Sequence, residues 1–222
     1  MEKAYILCNF SLKKMSTEPI NFNKILKDSR ETLLNPVSYF QSLSLTGGLT
    51  EPLIKAAIYG AVAGLFSLLW SVTGLSAVGA GWLGGAVGIM ALIWAIVGAI
   101  IGLFIGGAIM LVISAICGGN TDYEANVRVT ASLMAIYPVN AALAFFYGIN
   151  LTLGGIVALA VSCYAIYLLY LAAIHALKGK KSNVQIVAIV LLVLALLGFF
   201  GGRRVSKSVR NFSDMYEQEL VD

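Results

Sequence analysis

The sequence predicts an all-α, polytopic membrane protein: a helical bundle of about five transmembrane helices with an amphipathic helix on either flank. Three observations carry this. Apolar residues make up 59% of the 222-residue chain and charged residues only 12%, against roughly 25% charged in a soluble domain. The apolar residues gather in several runs of the length, about 20 residues, that crosses the hydrocarbon core as a helix. The basic residues sit at the ends of these runs, where they meet headgroups. The lipid bilayer is therefore the first expected partner. The net charge is a modest +4, and no basic patch is interleaved with aromatics, so no nucleic-acid partner is expected.

Three parts are expected: an N-terminal cytoplasmic segment over 1–52, a five-span membrane domain over 53–202, and an amphipathic polar tail over 203–222. The apolar run Ala4–Leu7 is too short for a signal-peptide core. Met15-Ser-Thr-Glu reads as a natural start, which makes residues 1–14 an upstream extension. Asn21 to Leu34 reads as an amphipathic helix. Phe22, Ile25, Leu26, Leu33 and Leu34 are its apolar positions, and Lys24, Lys27 and Arg30 its basic face. Such a helix can lie in the membrane interface or, equally, be a solvated helix packed on the rest of the protein. Asn35-Pro36 stops it, because the residue before proline is pushed out of helical geometry. An elbow with Tyr39, Phe40, Gly47-Gly48 and Pro52 follows.

Span one is expected over Leu53–Leu75. Gly60 and Gly64 share a face and allow close helix approach. Lys55 is placed to snorkel, and Trp70 to anchor the far end. Ser76 to Gly88 reads as a loop or short re-entrant segment. Span two runs from Gly88 to Cys117 and carries Gly98, Gly102 and Gly106, the candidate helix-packing residues.

A polar break follows, Cys-Gly-Gly-Asn-Thr-Asp-Tyr-Glu-Ala-Asn-Val-Arg from Cys117. Asp122, Glu124 and Arg128 are the only formal charges between Lys55 and His175. Gly118, Gly119, Tyr123, Glu124, Arg128, Pro138 and Asn140 are the candidate structural and partner-contact residues. Span three is expected from Tyr123 to Tyr147, with Arg128 at the interface. Pro138 frees a backbone carbonyl and should kink the helix. Asn140 could satisfy that carbonyl or bond a neighbouring helix. Span four covers Leu151–Leu177, with Tyr164, Tyr167 and Tyr170 on one side and His175 at its end. Span five covers Val184–Gly202, and a short amphipathic tail helix follows.

The positive-inside rule puts the N-terminus inside. It divides the fifteen Lys and Arg eleven to four whether residues 78–117 cross once or twice. Five spans are preferred, because nothing polar marks a turn near Gly98. A tilted helix of about 30 residues is acceptable.

No span carries an acid in its middle, and intramembrane ionisable residues are the usual mark of ion coupling. There is no carboxylate pair, no Ser/His/Asp set, no P-loop and no dinucleotide fingerprint. Cys8, Cys117 and Cys163 are an odd set without metal-ligand spacing, and Cys117 and Cys163 read as small apolar packing residues. No catalytic residue, metal or cofactor is expected.

Leu34-Asn35-Pro36 with Tyr39-Phe40, Gly48-Leu49 with Pro52-Leu53, and Gly118-Gly119 with Tyr123-Glu124, Arg128 and Tyr137-Pro138 stand in one order. With the five-span layout, this pattern resembles the Yip family, Rab/Ypt-interacting membrane proteins whose domain also occurs in bacteria and archaea. The resemblance covers roughly Leu33 to Gly202. It implies an all-helical domain with a cytoplasmic N-terminus and, in eukaryotic members, roles in vesicle traffic, Rab binding and membrane organisation. The chain lacks the long N-terminal region and the Asp-Leu-Tyr-Gly-Pro motif of that branch and is more similar to the short prokaryotic members. A Rab-type GTPase partner is implied only for a eukaryotic source. The resemblance places the protein in the plasma (inner) membrane of a prokaryote or the ER/Golgi membranes of a eukaryote. Two functions are carried forward: a non-enzymatic scaffold that binds protein or lipid partners or itself, and a channel or passive transporter for a small solute, which the glycine stripe, Pro138 and Asn140 would serve.

Overall fold

The computed structural model describes residues 22–75 and 84–219. These form nine helices: α1 (Phe22–Leu34), α2 (Pro36–Ser42), α3 (Thr50–Val72), α4 (Gly84–Ile116), α5 (Tyr123–Leu133), α6 (Ile136–Leu143), α7 (Phe146–Ile149), α8 (Leu151–His175) and α9 (Lys181–Glu219). No strand occurs among the described residues. Five stretches are long and apolar enough to cross a membrane: Thr50–Val72, Leu92–Ile116, Tyr123–Ile149, Leu151–His175 and Lys181–Gly201. Residues 1–14 and Cys8 lie outside the described residues, as does most of the expected loop at 76–88. From Gly84 onward that stretch is already α4.

The N-terminal segment differs most from expectation. Pro36 breaks α1 and also starts α2, since proline at the first helical position is pre-organised for a helix. The expected elbow is thus partly helical, and Tyr39 and Phe40 are buried in it. Of the two readings of α1, packing on the rest of the protein is the one the structure shows. The helix stands beside α3, with Lys24 paired to Glu51, Asp28 to Lys55 and the Ser29 hydroxyl to that of Tyr59. α2 returns along α8, packing Tyr39 and Phe40 near Leu171 and Ala172 and bringing Gln41 to 3.3 Å from His175 Nδ1. At the corner the Tyr164 hydroxyl donates to the Leu33 carbonyl. Tyr164 precedes His175 by eleven residues, about 16 Å along a helix. The α1–α2 pair is therefore a re-entrant hairpin, wedged between α3 and α8 over α5.

α3 and α4 form the closest helix pair. A Cβ on Gly60 would stand 2.7 Å from Ala99 Cβ and 2.8 Å from the Ala95 carbonyl oxygen; one on Gly64 would stand 3.0 Å from Leu92 Cα. The buried stripe of α4 is Ala99, Leu103, Gly107, Met110 and Ser114. This shifts the expected packing face by about one residue. Gly98 faces open space, Gly102 reaches only the Tyr137 hydroxyl, and Gly106 packs on the Thr130 methyl. Size alone does not choose the contact face; the side chains of α3 and α5 do.

The third span is interrupted. Pro138 has no N–H for the Met134 carbonyl, and the Tyr137 N–H bonds it instead at 2.9 Å. The expected kink appears as a tightened turn at Met134–Ala135, one turn before the proline, where its ring disfavours the helix. At the next break the Ala141 carbonyl accepts from the Ala144 N–H at 3.2 Å and from the Trp70 indole at 2.9 Å. Trp70 thus ties α3 to α6. α9 packs chiefly on α8 and runs without interruption through Gly201-Gly202 to Glu219, so the expected separate tail helix is a continuation of the last span.

Gly60→Ala should lower the midpoint of thermal aggregation in detergent, by an overpacking cost of about 1–3 kcal/mol. Gly98→Ala should leave it unchanged or raise it slightly, because alanine favours the helix and meets nothing there.

Candidate functional site

The start of α3, the end of α4, the starts of α5 and α9 and the end of α8 all meet at one end of the bundle. Two connections are stitched together there. Gly118 takes φ +67, and its N–H and that of Gly119 bond the Ala115 and Ser114 carbonyls at 3.1 and 2.8 Å. This is a Schellman C-cap, which favours glycine at the left-handed position. Gly119 also has no room for a side chain: a Cβ would stand 2.8 Å from the Leu177 carbonyl oxygen. The Asn120 N–H bonds that carbonyl at 2.7 Å, and the Lys180 N–H bonds the Cys117 carbonyl at 2.9 Å. The Asp122 carboxylate then caps α5, accepting from the Ala125 N–H at 2.9 Å. Asn126, fully buried, donates to the Asn120 and Asp122 carbonyls at 3.0 and 2.7 Å.

Beside this seam lies a buried cluster of charges. Arg128, 7% exposed, uses all three guanidinium nitrogens: Nε donates to the Ser44 carbonyl at 2.9 Å, Nη1 to the Gly48 carbonyl at 2.7 Å and Nη2 to Glu51 Oε2 at 2.8 Å. One turn earlier, Glu124 Oε1 accepts from the Gly48 N–H at 2.6 Å. The α2–α3 connection is thus gripped from below by two adjacent turns of α5. Lys55, 4% exposed, places Nζ 2.7 Å from Asp28 Oδ2 and 3.4 Å from Glu51 Oε1. The Tyr39 hydroxyl is 3.5 Å from that ammonium and 3.0 Å from Ser132 Oγ. Ser132 itself donates to the Arg128 carbonyl at 3.2 Å. Every charge here has a partner, so the arrangement fixes geometry: it holds the hairpin and the α2–α3 connection on the spans.

Of the candidate residues, Gly118, Gly119, Tyr123, Glu124 and Arg128 gather at this end. Tyr123 bonds the Phe104 carbonyl at 3.2 Å. Pro138 and Asn140 lie further along the third span, on α6, and Asn140 is exposed. Two expectations change. Lys55 is an interior ion-pair partner rather than a snorkelling residue, because Asp28 comes down to meet it. Arg128 lies beneath the 44–51 connection rather than among headgroups. Sequence reading missed Asp28, Glu51, Asn126 and Ser132, and gave Tyr39 only as part of the elbow and of the family pattern. The available signal was the Glu51/Lys55 pair, four apart on one face at the start of a span.

Lys55→Met should strand Asp28 and cost about 3–5 kcal/mol, the usual penalty for halving a buried pair. The double variant Asp28→Asn/Lys55→Met should recover most of that loss in thermal unfolding. A second prediction concerns Cys117, fully buried at the seam. Burial disfavours the thiolate and pushes its pKa up, so less of the reactive form exists at neutral pH. Alkylation of Cys117 by N-ethylmaleimide at pH 7.5 should be at least about tenfold slower in the folded protein than after denaturation, and it should quicken as pH rises.

No curated protein and no solved structure matched the chain. The family model described as the Yip1 domain matches residues 30–202. That stretch takes in the hairpin corner, the charged cluster apart from Asp28, both stitched connections and all five spans, and the chain therefore belongs to the Yip1 domain family of multi-pass integral membrane proteins.

Proposed function

We propose that this protein is a non-enzymatic membrane scaffold, organising its membrane by binding protein or lipid partners or further copies of itself. The polar end of the bundle carries the reading. Buried ion pairs and backbone hydrogen bonds join the α1–α2 hairpin, the α2–α3 connection and the loops at 117–122 and 176–180 into one shaped surface. A rigid surface on a membrane anchor suits recognition, since little ordering entropy is lost when a partner docks. The positive-inside rule turns this end to the cytoplasm: of the fifteen Lys and Arg, eleven precede Gly201 and four follow it. In a prokaryotic cell the protein would then sit in the plasma membrane. In a eukaryotic one it would sit in ER or Golgi membranes, where a Rab-type GTPase is a candidate partner.

The channel reading rested on the small-residue stripe with Pro138 and Asn140. Gly98 and Asn140 both face outward, so no observation favours it over the scaffold.

In-cell crosslinking followed by mass spectrometry tests the proposal. The expected result is a reproducible partner set whose crosslinks fall on the 43–49, 117–122 and 176–180 connections. A protein that is monomeric and enriches no partner would sink it.

A further inference from the structure

We infer that the outward face of α1 is a phospholipid site, at which Arg30 and Lys27 hold the phosphate of an anionic lipid. The inward face of α1 is used up by Ile25, Asp28, Ser29 and Thr32. Outward it presents Phe22, Leu26 and Leu34, exposed by 65–71%, beside two basic side chains three residues apart and so on one face. Lys27 has a single loose contact, 3.8 Å to Glu31. Arg30 makes no hydrogen bond or ion pair with any described residue.

Depth decides what covers this face. The Tyr164–Leu33 hydrogen bond fixes the end of α1 about 16 Å below His175, and Arg30 lies three residues, about 4–5 Å, above Leu33. An unpaired guanidinium about 12 Å inside the ends of the spans is costly in hydrocarbon unless it reaches a headgroup or draws one in. The neighbouring surfaces of α3 and α8 are those of membrane spans, so the covering material is the bilayer. A lipid phosphate offers the guanidinium a two-point, charge-assisted contact, and acyl chains cover Phe22, Leu26 and Leu34. Two cations against the single acid Glu31 favour an anionic headgroup over a zwitterionic one.

The inference deepens the lipid part of the proposed function, and its failure would leave the protein-partner crosslinks standing. The test is native mass spectrometry of the full-length protein, titrated in detergent with phosphatidylglycerol, with phosphatidylcholine for comparison. Arg30→Gln and Lys27→Gln should each weaken the first bound phosphatidylglycerol about fivefold. Glu31→Gln should tighten it, a gain that misfolding cannot mimic. Lys181→Gln, at the exposed start of α9 and outside the connections named above, should change nothing. Equal loss in Lys181→Gln and Arg30→Gln, or unchanged binding in all variants, would overturn the site. Displacement of the lipid by glycerol phosphate at matched concentration would overturn its lipid identity and make it a site for soluble phosphate compounds.

Discussion

A lysine ammonium cannot be left alone in a membrane interior, and the arrangement at the polar end of the fold follows from this. Lys55 sits on the first span with 4% of its surface exposed. Away from water, an uncompensated charge costs several kcal/mol. Its compensation comes from a segment outside the spans: Asp28 is delivered by α1, which must stand upright beside α3 to bring it there. Glu51 answers Lys55 and Arg128 at once. One carboxylate therefore links the first span, the third span and the connection that crosses above them. With these charges in place, α2 has little choice but to return along α8, where Tyr39 closes the chain of hydroxyls to Ser132.

The remaining packing follows rules for helices in lipid. Close approach is allowed where one helix offers glycine and the other alanine, as Gly60 does against Ala99. The hydrophobic effect gives no preference between lipid and protein for the isoleucines along α4, so they stay outside. The broken third span shows the complementary rule. A backbone carbonyl freed in a membrane must find a donor, and here the Tyr137 N–H serves Met134, while the Ala144 N–H and the Trp70 indole share Ala141.

Much of this could be read in the sequence. Hydropathy located the five spans because lipid demands continuous apolar length. Asn35-Pro36, Gly118-Gly119 and Pro138 marked real changes of direction because each acts through its own backbone. What stayed hidden depended on residues far apart in the chain. A lone lysine near a span end reads as snorkelling until a distant aspartate is known to reach it. An amphipathic helix reads equally as interfacial or packed until its polar face is seen to be a set of partners for α3. The glycines of α4 give a stripe but no register, since which side of that stripe is buried is decided by α3 and α5. The side chains beyond Gly201, including the charged end of the chain, lie outside what the structure describes.

The uninterrupted course of α9 has a mechanical meaning. At 39 residues it is about 58 Å long, while the hydrocarbon core is about 30 Å thick. From Gly201 to Glu219 the backbone advances about another 27 Å beyond the stretch that can cross the membrane. The last span thus doubles as a mast: a stiff rod rooted in the bundle at Val184 and projecting on the side away from the hairpin. Whatever meets its far end is joined through one continuous helix backbone to Val184 and to the seam between α8 and α4.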